Sequence, residues 1–173
     1  MAAALTALST AVLLLFASPA KAASVQHFEN ANLRNGYMIS CCSGGSTAAS
    51  PVWLEQSADA RWTVYSLPDV NGHGVVHMQS ADEPAAGCLD SHGNGSGGSV
   101  WVQACNNGDY QKWEVFKVSS GGQTLLVFKN RGAFTQQGGK NLCIAGKHTD
   151  DGSIREGIYL TTCNTGSSWQ QFF

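Results

Sequence analysis

Charge is what this chain has least of. It carries 10 Lys+Arg and 12 Asp+Glu in 173 residues, 13% in all, against about 25% in an average soluble protein. The slight acidic excess, a formal net charge of -2, lacks the basic footprint of a nucleic-acid binder. No apolar run reaches the roughly 20 residues that a membrane span requires. Helix formers are sparse. The catalytic and metal motifs are missing too. No C-x-x-C pair or clustered His is present, which disfavours zinc. The five His (His27, His73, His77, His92, His148) are not at H-E-x-x-H spacing, and there is no G-x-S-x-G elbow. Asp150-Asp151 is a charged turn with no visible acid/base partner. Gly93-Asn-Gly-Ser-Gly-Gly98 matches G-x-G-x-x-G, but an alternating segment follows rather than a helix. It therefore reads as a loop and not as a dinucleotide site. Neither catalysis nor a cofactor is expected.

What is plentiful is Gly, Ser, Thr, Val and Asn, which points to an all-β chain with many turns. The length suits one domain.

Residues 1–22 read as a secretory signal peptide. The apolar stretch from Ala11 to Ala17 precedes Ala20-Lys21-Ala22, a small-x-small cleavage site. A buried amino-terminal helix is the alternative. Cleavage leaves residues 23–173, secreted, with all six cysteines: Cys41, Cys42, Cys88, Cys105, Cys143 and Cys163. An even count in an exported chain argues for disulfides.

The mature chain repeats three times, roughly over 26–70, 75–120 and 125–173. Phe28, Met78 and Phe128 are spaced by 50 and 50. Trp53, Trp101 and Tyr159 follow at 48 and 58, and Trp62, Trp113 and Phe172 at 51 and 59. The extra length of the third unit falls in the polar loop Lys147–Glu156, where insertions belong. Alternation over Val100–Cys105, Trp113–Val118 and Ile158–Cys163 marks short strands. Turn clusters separate them at Asn71-Gly72, Ser91–Ser99, Asn106–Asp109, Gln136–Lys140 and Asn164–Ser168. Units of about four short strands cannot each bury a core. Three such units closing on one another form a β-trefoil with pseudo-three-fold symmetry; propellers use four or more blades.

Cys88-Leu-Asp90, then Val100–Cys105, then Gln111-Lys-Trp113 resembles the ricin B-chain-type (Q-x-W) lectin repeat. The third unit keeps Cys143, Cys163 and Gln170-Gln-Phe172; the first keeps only Trp62, with Ser57 at the second Cys position. The resemblance implies disulfides Cys88–Cys105 and Cys143–Cys163, and a hydrophobic plug of the aromatics that end the repeats. Cys41 and Cys42 are left over, either bridged to each other, free, or paired with a partner chain.

The resemblance also implies carbohydrate binding. In that family the sugar is held by the Asp of C-x-D, an aromatic two residues before the second Cys, and polar groups at Q-x-W. The second unit offers Asp90 and Gln111, with Gln103 where the aromatic belongs and Trp101 two residues earlier. Trp101 is the expected stacking platform, with Gln103, Asn107 and His92 nearby. The alternative is structural: Asp90 caps a turn, Gln111 satisfies backbone and Trp101 packs. The third unit has Ala145 and Thr161 at the site positions, with Tyr159 and Trp169 near; the first has neither Asp nor Gln. Degraded sites in similar trefoils point to a second possibility. The chain also resembles the A and C subunits of cytolethal distending toxins, which carry a partner protein. Trp53, Tyr65, Trp101, Tyr110 and Trp169 would then serve docking.

Overall fold

The computed structural model describes residues 23–33, 36–40, 50–55, 60–82, 84, 87–91, 93, 95–147 and 155–173. The expected signal peptide, Cys41, Cys42, Ser57, His92, Asn94, His148 and Asp150-Asp151 lie outside them.

Among the described residues the fold is all-β, with one short α-helix. Its strands are β1 (Ser24–Gln26), β2 (Tyr37–Ser40), β3 (Ser50–Glu55), β4 (Trp62–Val70), β5 (His73–Ser80), β6 (Cys88–Asp90), β7 (Trp101–Gln103), β8 (Trp113–Ser120), β9 (Gln123–Asn130), β10 (Leu142–Lys147) and β11 (Arg155–Thr162). β8 and β11 contain the expected segments almost whole, whereas β7 is shorter than the alternation over Val100–Cys105 suggested.

The pairings fall into two groups. β1 pairs with β4, β4 with β5, β5 with β8 and β8 with β9, all antiparallel. Phe172 then bridges Leu126 on one side and Asn30 on the other, which closes a six-membered ring. The second group is three hairpins, β2–β3, β6–β7 and β10–β11. They meet edge to edge: Pro51 opposite Trp101, Ser99 opposite Tyr159 and Gly157 opposite Trp53. Closing the ring and joining the hairpins leaves few bare strand edges.

Local sequence explains the sharp hairpins. Asn71 and Gly72 both have positive φ (52 and 79), as do Gly121 and Gly122 (56 and 80). Tight two-residue hairpins need that left-handed pair, and Asn-Gly and Gly-Gly supply it at least steric cost.

Every second residue of the cap hairpins turns inward. Val52, Leu54, Leu89, Val100, Val102, Ile144, Ile158 and Leu160 join Phe28, Trp62, Met78, Trp113, Phe128 and Phe172 in one buried cluster. The aromatics that end the repeats therefore form the core plug. Trp62 donates its indole N–H to the Met38 carbonyl at 2.7 Å, and Trp113 donates to Leu89 at 3.1 Å. Each core Trp so ties the ring to a cap hairpin while its polar atom stays satisfied.

The helix α1 (Arg131–Gln136) is a finding the sequence pattern did not suggest; only the turn after it was expected. Asn130 caps it, its side-chain oxygen accepting from the Ala133 N–H at 2.9 Å. Among the described residues no helix is long and apolar enough to cross a membrane.

Candidate carbohydrate site of the second repeat

The second repeat is built around the β6–β7 hairpin. Its register sets Leu89 opposite Val102, and both point into the core. The flanking pairs, Cys88 with Gln103 and Asp90 with Trp101, must then face outward together, because strand side chains alternate. Trp101 and Asp90 share one face, as a site built on both requires. Trp101 and Gln103 are half-buried and Asn107 is exposed. Asp90 is only 2% exposed.

Cys88 bonds to Cys105 across 17 residues, and Cys143 to Cys163 across 20. Both disulfides implied by the resemblance are present. Gly87 enters the second hairpin at φ +109, where an added Cβ would overlap the Gln103 carbonyl.

Gln111 is fully buried. Its amide N–H donates to the Ala104 carbonyl at 2.9 Å, and its oxygen accepts from the Asn106 N–H at 2.8 Å. The His77 imidazole donates to the same oxygen at 3.0 Å. Gln111 thus clamps the backbone on both sides of Cys105. Gln170 does the same around Cys163, donating to Thr162 at 2.9 Å and accepting from Asn164 at 2.7 Å. The structure gives this glutamine the structural part of the two readings: its amide is spent on backbone groups and does not line the surface. Of the expected set, Trp101, Gln103 and Asn107 reach the surface, the first two only in part.

The same outward position recurs in the other repeats. Ile39 lies opposite Trp53 and Ala145 opposite Tyr159, as Asp90 lies opposite Trp101. Only the second repeat puts a carboxylate beside the aromatic. Thr161 is half-buried and Ala145 buried. Trp169 packs over Gly146, where a Cβ would meet its ring at 3.0 Å. A shallow cavity of about 330 Å3 beside Tyr159 is lined by Gly97, Ser99, Gly157 and Ile158; it offers one aromatic and no charged group.

A second polar cluster, on the ring wall, went unrecognised in the sequence. Glu114 lies opposite Lys129 across β8–β9, and their side chains pair at 3.2 Å while 5% and 12% exposed. A signal was present. A hairpin turning at Gly121-Gly122 pairs residues equidistant from the turn, which includes this opposite-charge pair.

Among the described residues, no group of three or more His, Cys, Asp or Glu is placed to hold a metal ion. Asp109 has its carboxyl held below the ordinary range, chiefly by the hydrogen bond from Lys112, with burial opposing and Thr135 assisting. It accepts from Lys112 at 2.9 Å and joins the turn Asp109–Gln111 to α1 through the Thr135 hydroxyl at 3.0 Å.

No protein-family model matches the chain, and no curated protein matches it. Solved structures do. A designed three-fold symmetric protein, ThreeFoil, matches with TM-score 0.54 at 15% identity, over 86% of this chain and 95% of that one. A Polyporus squamosus lectin, solved with a Neu5Ac-α2,6-Gal-β1,4-GlcNAc epitope, matches with TM-score 0.64 at 12% identity, over 88% of this chain. This chain spans 49% of that lectin's length. A Culex salivary protein of the cysteine- and tryptophan-rich family matches with TM-score 0.57 at 12% identity, covering 91% and 96% of the two chains. At such identities the likeness speaks to the fold alone, that of a β-trefoil.

Proposed function

We propose that this chain is a secreted, non-catalytic carbohydrate-binding β-trefoil of three ricin B-like repeats, which binds sugar through the second. The observation that carries the reading is the outward pairing of Asp90 with Trp101, with Gln103 two residues along the same strand face. A pyranose needs a flat apolar surface for its C–H groups and fixed polar groups for its hydroxyls. Trp101 is the platform, and Gln103 and Asn107 are the polar contacts. Asp90 and Gln111 act without reaching the surface, Asp90 from its buried place opposite Trp101 and Gln111 by anchoring the loop that carries Asn107. The two disulfides fit an extracellular setting, and the lectin and salivary neighbours accord with it.

Glycan-array binding by the folded protein tests this. Trp101→Ala is expected to abolish binding while leaving the unfolding temperature within a few degrees, and Asp90→Ala is expected to weaken it. Binding unchanged in both variants would defeat the site assignment.

One observation favours a second reading, a carrier subunit that docks a partner protein. Trp53, Trp101 and Tyr159 are all half-buried on the outward face of the joined hairpins. Clustered aromatics at one surface suit a protein interface. Co-purification with the product of a neighbouring gene, lost in Trp53→Ala, would support the carrier; sugar binding without any such partner favours the lectin.

A further inference from the structure

A cavity of about 410 Å3 opens on the outer wall of the strand ring and shares no residue with the second-repeat site. We propose that it binds an uncharged sugar ring, as a second carbohydrate site separate from the first.

Strand register builds the cavity. Trp113 and Phe128 point into the core, so Glu114, Phe116 and Lys129 turn outward. Lys129 stands between Glu114 on β8 and Cys143 on β10. β5 pairs with the other edge of β8 and brings the His73 ring to 4.1 Å from that of Phe116. The Cys143–Cys163 disulfide lines the cavity from the third repeat. Asn71, Asn141 and Thr165 add exposed polar side chains.

The charges in the lining cancel. It holds one carboxylate and one ammonium, Glu114 and Lys129, which pair at 3.2 Å while 5% and 12% exposed. Arg131 stands outside the lining; its guanidinium lies 3.9 Å from the other Glu114 oxygen and faces the Asp109 carboxylate as well. A charged ligand would meet its like charge beside its opposite, where little water screens either. The cavity therefore favours an uncharged molecule.

The pair still has bonding capacity. A carboxylate offers about four acceptor positions and an ammonium about three donors, and one mutual contact uses only part of each. Lys129 is also steadied by the Phe134 ring, 4.2 Å from its centroid, a contact that leaves the carboxylate untouched. A donor and an acceptor held side by side suit hydroxyl groups, which give to one and accept from the other. Hydrogen bonds to a charged partner are the stronger kind. The amides of Asn71 and Asn141 and the Thr165 hydroxyl likewise both donate and accept. Phe116, His73 and the disulfide supply apolar wall for C–H groups. Hydroxyls together with C–H faces describe a pyranose. The volume lies at the small end for small-molecule sites, about 300–1,000 Å3, which suits one ring.

The test is an amide-resolved NMR titration of the intact, disulfide-bonded protein. The probes are the methyl glycosides of glucose, galactose and mannose, their uronates, and cyclohexanol. At least one neutral glycoside should shift the amides of His73, Phe116 and Asn141. It should bind about tenfold more tightly than its own uronate and than cyclohexanol, the worth of one charge-assisted hydrogen bond. Glu114→Gln strands the Lys129 ammonium and threatens folding, so the decisive variants are His73→Ala and Asn141→Ala. Each should weaken the glycoside several-fold with its unfolding temperature kept, and Trp101→Ala should leave these shifts unchanged. A uronate bound as tightly as its glycoside would show that the cavity reads a charge, and cyclohexanol bound as tightly that only the apolar wall acts. Either result overturns the proposal, as does absence of glycoside shifts at these amides, unchanged binding in both cavity variants, or loss of the shifts in Trp101→Ala. Failure of sugar binding at the second repeat, by contrast, would leave these outcomes untouched.

Discussion

Truncating Gln111 to alanine separates a latch from a ligand contact. The side chain is fully buried and makes three hydrogen bonds, to the Ala104 carbonyl, the Asn106 N–H and the His77 ring. Each is worth about 1 kcal/mol net. Ala104 and Asn106 are themselves exposed, so water can recover part of the backbone loss. The expected cost is about 2–3 kcal/mol. For a domain of this size it should lower Tm by roughly 5–10 °C. Gln170→Ala removes two hydrogen bonds at the matching place in the third repeat and should cost somewhat less. The assay is thermal and urea unfolding of both variants, with sugar binding measured well below Tm. Below the transition, the Gln111 variant should retain most of its binding, because the amide reaches no surface. An unchanged Tm together with lost binding would refute the latch and return Gln111 to the ligand site.

Replacing Cys88 and Cys105 with alanine should cost about 3 kcal/mol, by the chain-entropy estimate for a loop of this length; urea midpoints check it, and a midpoint unmoved would contradict that estimate. Trp113→Phe keeps most of the apolar volume but strands the Leu89 carbonyl. It should destabilise by about 1–3 kcal/mol, and Trp62→Phe, which strands Met38, should act alike. Gly87→Ala meets both a positive φ and the Gln103 backbone; it should lower Tm far more than Gly95→Ala, where a Cβ would meet open space. The Asp109 carboxyl is depressed in the folded state. Its stabilisation is therefore present above the ordinary carboxylate value, about 4, and is lost as pH falls through the lower folded value. Stability should drop on acidification towards pH 3, and Asp109→Asn should flatten that part of the profile in urea titrations at pH 3 and pH 7.

Much of the architecture was legible in the residues because spacing carries it. The 50-residue interval between Phe28, Met78 and Phe128, and the recurrence of Trp62, Trp113 and Phe172, marked the positions that fill the core. The turn residues Asn71-Gly72 marked a hairpin whose backbone requires them. The cysteine pairs followed from the resemblance. The helix Arg131–Gln136 was not legible. It is six residues long and held by the Asn130 cap and by Tyr110 packed on Gly132, too short for any apolar period to appear.

The chain's composition and periodicity alone determine that it is all-β, built of short strands and polar turns, with aromatics inside. Those follow from local preference and from burial, which act residue by residue. Which polar residues face a ligand depends on register and on what packs above them, and only the tertiary structure decides that. Gln111 and Gln103 are both neutral amides in one repeat, yet one clamps a buried loop and the other stands half-exposed beside Trp101. Asp90 shares the face of Trp101 but is almost wholly covered. The cluster of Glu114, Lys129 and Arg131 arises from the pairing of β8 with β9, which joins the second repeat to the third. In a chain so poor in charge, where the few charges meet was left to the packing.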